Sequence, residues 1–198
     1  MFTFRQALPD DADQIAAIVS ETSAGVVNHL FGGLIPGLSA ERILSAAFLK
    51  GQGSYDTANV ILSGTADRIT GLLFMYPASE HVVPVLMASL LPSKRLNPVR
   101  PILERGVPDS LYINTIWLDE ELRGSGLGTA LMVEAESRCR ALGFDRISLF
   151  CWNDNEKALR FYAREKFSIV EHLPPEELSI EGHGQGGSIL CRYLDKAA

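Results

Sequence analysis

Between residues 123 and 129 the chain reads RGSGLGT, an arginine and three glycines within seven positions that open directly into a helix-forming run. Glycines let a ligand approach the backbone without side chains in the way. A helix start exposes N–H groups that have no intrahelical partner, together with a partial positive charge. The combination suits an anion, and the chemistry it suggests is the cradling of phosphates. Further along, Asn155 and Tyr162 stand seven positions apart in NDNEKALRFY. On a helix that spacing places them on one face, about 10 Å apart along the axis. Each also has an ordinary structural role, the asparagine as a helix cap and the tyrosine as core packing.

Two familiar nucleotide loops fit the glycines poorly. The phosphate loop of nucleotide hydrolases ends in Gly-Lys-Ser/Thr, and here Gly128 is followed directly by Thr129. A dinucleotide fingerprint starting at Gly124 and Gly126 requires glycine or alanine at 129, and its strand lies mid-chain. A metal centre is not expected. His183, in EGHGQGG, has no second ligand at a useful spacing and reads as part of a flexible loop. Cys139, Cys151 and Cys191 are too widely spaced for a C-x-x-C site and read as reduced, buried thiols.

The elements that must position these residues follow from periodicity. FTFRQAL alternates as a strand, and PDDADQIAAIVSE continues as a turn and helix. Residues 22–38 are glycine-punctuated and apolar, after which Ser39 caps a helix through AERILSAAFLK. YDTANVILS and RITGLLFMYP flank GTAD as a hairpin. Residues 80–108 carry five prolines and read as a helical insertion ending in a loop. SLYINTIWL is the strand that leads into the glycine turn. Leu127, Leu131, Ala135, Cys139 and Leu142 then mark a helix face that Gly143 terminates. RISLFCW, a helix over NDNEKALRFYAREK, FSIVEHL and GGSILCRYL complete an α/β order without repeats.

With both motifs in place, the chain resembles the Gcn5-related N-acetyltransferase family. Arg123, Gly126 and Gly128 occupy that family's Arg/Gln-x-x-Gly-x-Gly/Ala loop. Asn155, Ala158 and Tyr162 occupy its Asn-x-x-Ala-x-x-x-Tyr pattern, and Phe167 matches the aromatic that starts the next strand. The family usually has glycine before that phenylalanine. Lys166 stands there instead, which predicts a different helix ending. Residues 22–53 and 77–108 match no family motif. The resemblance implies one acetyltransferase domain over 1–198, of mixed α/β class, with a mostly antiparallel central sheet of about six to seven strands flanked by helices.

The resemblance further implies direct acetyl transfer from acetyl-CoA to a primary amine, in a small molecule or a peptide, within a ternary complex. Backbone amides from Arg123 through Gly124, Ser125, Gly126, Leu127 and Gly128 to Thr129 would hold the pyrophosphate. Backbone groups of Ile116 and Leu118, with Trp117 between them, would pair with pantetheine like an added strand. Asn155, Ala158, Phe161 and Tyr162 would line the thioester arm, with the Tyr162 hydroxyl as general acid and an amide donor near Leu118. The family often places a carboxylate base at what corresponds to Asn114, and an amide is not a base. Asn114 would orient a water, leaving the amine proton to solvent, to Glu21, or to His29, His81 or His183. A domain that binds acetyl-CoA without transfer is the rival reading.

Composition narrows the field. With 46% hydrophobic and 21% charged residues the chain is an ordinary globular one. A net charge of −6 without a long Lys/Arg run argues against general nucleic-acid binding. The N-terminus lacks the apolar core of a signal peptide, and the longest apolar stretch, VVPVLMASLLP, is interrupted by Pro84 and too short to span a membrane. A cytoplasmic protein is expected, with a homodimer among the assemblies open to it. Lys94, Arg95 and Arg100 either reach the 3′-phosphate of the cofactor or, the reading preferred from sequence, form a solvated face. The apolar residues of 26–38 either roof the acceptor pocket or pack as a helix hairpin.

Overall fold

A computed structural model describes residues 2–51, 53–178 and 180–195. Among these residues seven strands form one sheet: β1 (Phe4–Gln6), β2 (Val60–Gly64), β3 (Ile69–Pro77), β4 (Leu111–Leu118), β5 (Arg146–Trp152), β6 (Ser168–Leu173) and β7 (Gly187–Tyr193). Their order is β1-β2-β3-β4-β5-β7-β6. The pairs β1–β2, β2–β3, β5–β7 and β6–β7 are antiparallel, whereas β4 and β5 run parallel with Leu111–Ile113 opposite Ile147–Leu149. The helices are α1 (Ala12–Thr22), α2 (Val26–Phe31), α3 (Ala40–Lys50), α4 (Val85–Leu90), α5 (Ser93–Leu96), α6 (Arg100–Glu104), α7 (Leu127–Ala141) and α8 (Glu156–Arg164). This is the mixed α/β class with the mostly antiparallel sheet expected from the sequence. The chain divides into two compact units, Met1–Met75 with Thr115–Leu131 and Tyr76–Asn114 with Met132–Ala198.

In the first unit, α1 buries Ile15, Ala16, Ile18 and Val19, the helical spacing that faces α3 with its buried Leu44 and Phe48. The Ser39 hydroxyl starts α3 by accepting the N–H of Arg42 at 3.3 Å, and Gly51 ends it at φ +58°. Phe48, Tyr55 and Phe74 meet ring to ring at 5.2–5.6 Å. The glycine-rich stretch contains α2, whose Val26, Val27 and Leu30 are buried in a helix that packs on α1 and α3. Those three residues take the packing role, while Ile35 and Leu38 remain 44% and 45% exposed. Gly71 on β3 matters for its missing side chain. A Cβ there would lie 3.3 Å from Leu131 and 3.4 Å from Leu127, the two leucines of the first turns of α7. Each of these fully buried leucines contributes about 2 kcal/mol relative to exposure.

In the second unit, β7 lies between β5 and β6 and pairs with both. Residues 80–108 are the expected insertion, three short helices set off by Pro84, Pro92 and Pro101, each at or near a helix start. Leu96, Val99 and Ile102 anchor it in the core. Ser110 and Ser148, both fully buried, fasten β4 to β5 through their hydroxyls at 2.7 Å. Ser110 donates to the carbonyl of Val107, so Ser148 is the donor between the two serines. The later half of α7 buries Ala135 and Cys139, and its carbonyls at Cys139 and Arg140 are closed by Phe144 and by Gly143 at φ +81°. All three cysteines are free and buried, as expected.

Candidate active site

The glycine turn belongs to the first unit. β4 ends at Leu118, where the Asp119 N–H is tied to the Thr70 carbonyl at 3.0 Å. The Asp119 carboxylate caps the next turn through the Glu121 N–H and pairs with Arg68 at 2.7 Å. Hydrogen bonding to Arg68 holds that carboxylate below the usual range. The turn then closes on itself: Arg123 N–H donates to Glu120, Ser125 N–H to Leu122, and the Ser125 hydroxyl to Leu122. Leu127 N–H leans on the Ser125 oxygen at 3.4 Å. The amides of Gly124, Gly126 and Gly128 remain, and among the described residues they make no internal hydrogen bond.

Of the amides from Arg123 to Thr129, those of Arg123 and Ser125 are engaged within the turn. Arg123 and Ser125 hold the turn together, and the glycines carry the unmatched donors. Gly124 and Gly126 sit at φ +81° and +90°, backbone that side chains rarely adopt, and a Cβ on either would stand in open space. Fifteen residues of α7 begin at this point, so the donors lie at the positive end of a full helix. The Arg123 guanidinium pairs with Glu120 at 2.7 Å on the surface, so the backbone of Arg123 shapes the turn and its side chain faces solvent. Ile116, Trp117 and Leu118 are half-buried at the end of β4 in the same unit. Thus the structure brings together the strand end and the loop named from sequence.

The second set lies in the other unit. Asn155 does cap α8: its side chain accepts the Ala158 N–H at 3.2 Å. Asn155 is exposed, Ala158 and Phe161 are half-buried, and Tyr162 is 8% exposed between Phe161 and Phe167. Burial foremost, with Cys151 and Tyr112 nearby, raises the Tyr162 hydroxyl above its ordinary value near 10. It is therefore a protonated donor throughout the neutral range. Both bland roles, cap and core, are real, and neither removes the hydroxyl from use. The ending of α8 corrects the sequence expectation, since Lys166 adopts φ +65°. Lys166 N–H donates to Ala163 at 3.1 Å and Phe167 N–H to Tyr162 at 2.9 Å, so the turn that glycine favours forms around a lysine.

Asn114 is half-buried on β4 and donates through Nδ2 to the Tyr76 hydroxyl at 3.0 Å. The hydroxyl meets Nδ1 of His81 at 3.1 Å, and Nε2 of His81 meets the Ile102 carbonyl at 2.8 Å. Tyr112, two residues before Asn114 and so on the same face of β4, stacks on His81 at 3.8 Å. Sequence reasoning named His81 only as one of several stray bases and missed Tyr76. Of the other candidates, Glu21 is exposed and His29 half-buried. His183 is not loosely held: its ring stacks on Trp152 at 3.8 Å, and Nδ1 lies 2.8 Å from Asp154. Lys94 is exposed, and Arg100 pairs with Glu104 at 2.6 Å. Among the described residues no group of three or more His, Cys, Asp or Glu could hold a metal ion, and no helix is long and apolar enough to cross a membrane.

The fold and this loop define a class. The family model "Acetyltransferase (GNAT) family" matches residues 67–167, just over half of the chain, and the protein belongs to that family. Uncharacterized protein YxbD of Bacillus subtilis (strain 168) is 39% identical over 54 residues, which is 27% of this chain; the match spans only 34% of that relative's length. An N-acetyltransferase from Staphylococcus aureus Mu50 superposes with a TM-score of 0.70 at 20% identity, covering 96% of this chain and 100% of that one. A GNAT superfamily phosphinothricin acetyltransferase (Pat) from Sinorhizobium meliloti, solved in complex with AcCoA, gives 0.58 at 17% identity over 100% and 90% of the two chains. At these identities the likeness is one of fold.

Proposed function

We propose that this protein is an acetyl-CoA-dependent N-acetyltransferase, a single cytoplasmic domain over 1–198 that acetylates a primary amine of a small molecule or peptide. The observation that carries the reading is the row of three unmatched glycine amides, Gly124, Gly126 and Gly128, at the start of α7. Three N–H donors at a positive helix end, with open space where a side chain would stand on Gly124 and Gly126, fit a pyrophosphate. Bound acetyl-CoA supplies the acetyl group as a thioester. The backbone at Ile116, Trp117 and Leu118 would hold its arm, and an amide near Leu118 would stabilise charge on the thioester oxygen. Tyr162, which keeps its proton at neutral pH, would donate to the departing sulfur. Asn155 would set the start of α8, and with it the position of Tyr162 two turns on.

The amine proton needs a separate route. An alkylammonium has a pKa near that of lysine, about 10, and only the neutral amine attacks. Asn114 supplies an oriented hydrogen bond but no basicity, so the proton leaves to solvent. The same residue favours a second reading, a module that binds acetyl-CoA without transferring the acetyl group. One experiment separates the readings: calorimetric titration with acetyl-CoA and with NAD, alongside release of CoA thiol over a panel of amines, polyamines, antibiotics and peptides. Acetyl-CoA binding with thiol release supports the enzyme. Binding without release for any amine supports the module, and preference for NAD removes both.

A further inference from the structure

The hydrogen bonds that end on Asn114 have only one consistent set of directions, and it is dictated from the far end. The Ile102 carbonyl accepts and cannot donate, so Nε2 of His81 carries the ring proton. His81 is 6% exposed, and burial pushes its pKa down to about 4, so the ring is neutral and Nδ1 is an acceptor. Tyr76 then directs its hydroxyl proton to Nδ1. With its one proton committed, the Tyr76 oxygen faces Asn114 as an acceptor, and only the NH2 side of the amide satisfies it. The reversed amide would set oxygen against oxygen. Tyr76 is 2% exposed, and its ring and that of Tyr112 flank His81 at 6.0 and 3.8 Å. In such surroundings a donor or acceptor left unmatched costs about 1–3 kcal/mol, so the chain is stiff.

We propose that Tyr76 and His81 are positioning residues: they fix the Asn114 side chain with its nitrogen turned to Tyr76, so that its carbonyl oxygen is presented to an N–H of the acceptor amine. A carbonyl oxygen has two lone pairs, so this role leaves room for another contact of the same atom. The inference rests on the reading of Asn114 as an acceptor-side residue. It adds what that reading lacked, a reason why an amide at this place has a defined polarity. A strand residue with a freely turning amide would present nitrogen and oxygen alternately, and the nitrogen would repel an ammonium.

The test uses the whole protein, 15N-labelled, with methylamine as a minimal primary amine. The Asn114 side-chain amide signals are assigned by their loss in Asn114→Ala and followed in Tyr76→Phe, His81→Leu and His81→Gln. Thermal unfolding confirms that each variant is folded. The Gln amide offers an acceptor and a donor at a spacing close to that of the ring nitrogens. The expected result is that Tyr76→Phe and His81→Leu shift and broaden the Asn114 signals, while His81→Gln restores them. In parallel, thiol release from acetyl-CoA with methylamine should lose about tenfold in kcat in Tyr76→Phe and His81→Leu, the worth of one oriented hydrogen bond. The KM for acetyl-CoA should not change, and His81→Gln should recover most of the rate. The proposal is overturned by unmoved Asn114 signals in Tyr76→Phe, by an equal rise in the KM for acetyl-CoA, or by His81→Gln performing no better than His81→Leu. Failure of the functional reading looks different: the signals respond as expected, but the wild type releases no thiol with methylamine, and the amine-facing role falls with it.

Discussion

The backbone N–H of Phe167 donates to the carbonyl of Tyr162 at 2.9 Å, and the two rings meet edge to face with centroids 5.7 Å apart. One residue, Lys166, makes that closure possible by adopting φ +65°. A side chain in left-handed backbone costs about 1–2 kcal/mol, against which glycine loses some conformational entropy of its own. Lys166→Gly should therefore raise stability by about 1 kcal/mol, read as a higher urea midpoint at unchanged slope. Since Lys166 is exposed at the turn and outside the proposed machinery, transfer rates should stay as they are. An unchanged or lower midpoint would mean that the lysine makes a compensating contact.

The buried imidazole ties stability to pH. In the unfolded chain His81 titrates near 6.5, and in the folded protein only at about 4. Between those values the unfolded state binds more protons, so stability from this residue is complete above 6.5 and declines as pH falls toward 4. The full effect is on the order of 3 kcal/mol. His81→Gln, which does not titrate, should show a flatter decline of unfolding free energy over that window. Parallel curves for the two proteins would place the acid sensitivity elsewhere.

Gly126 tests the anion cradle. Gly126→Ala puts a methyl group in the open space above the loop and strains the backbone at φ +90°. Acetyl-CoA affinity should fall tenfold or more, about 1.4 kcal/mol, by calorimetry. Gly143→Ala carries similar strain, at φ +81°, where α7 ends, and serves as the control. If both variants lose the same affinity, strain alone is the cause and the cradle is not.

Much of this site was legible in the sequence because it is local. A glycine turn between a strand and a helix, and two residues seven apart on one helix, depend on spacing within a short segment. All seven strands were legible for the same reason, from alternation and turn residues. The link from Asn114 to Tyr76 and His81 was not, because it joins residues 38 apart through side chains that carry no shared pattern. Nor was the ending of α8. Lysine is a poor choice for left-handed backbone, so its residue type gives no sign of the φ +65° it adopts there.

Tyr162→Phe separates packing from chemistry. The ring and its contact with Phe167 remain, so acetyl-CoA binding should survive, while kcat should fall by roughly 10² if the hydroxyl is the general acid. Steady-state kinetics with calorimetry decides it, and a variant with full kcat would return Tyr162 to the core alone.

Asn114 makes a prediction without any substitution. With no base at that position, kcat/KM should keep rising with pH toward the pKa of the amine used, with no bend near neutrality. A bend near neutrality would reveal a titrating relay in place of solvent.

The placement of β7 between β5 and β6 bears on how the protein is made. Both β5 and β6 are synthesised before residues 187–193, so until β7 is made two strands wait for a neighbour they share. Meanwhile each offers an open edge, and β6 adds Ile169 and Val170, which stay 47% and 52% exposed even after folding. Edges of this kind invite pairing with other nascent chains. Translation that stalls or stops short of Gly187 leaves both edges open at once, so the product of such an interruption is a substrate for chaperones and proteases.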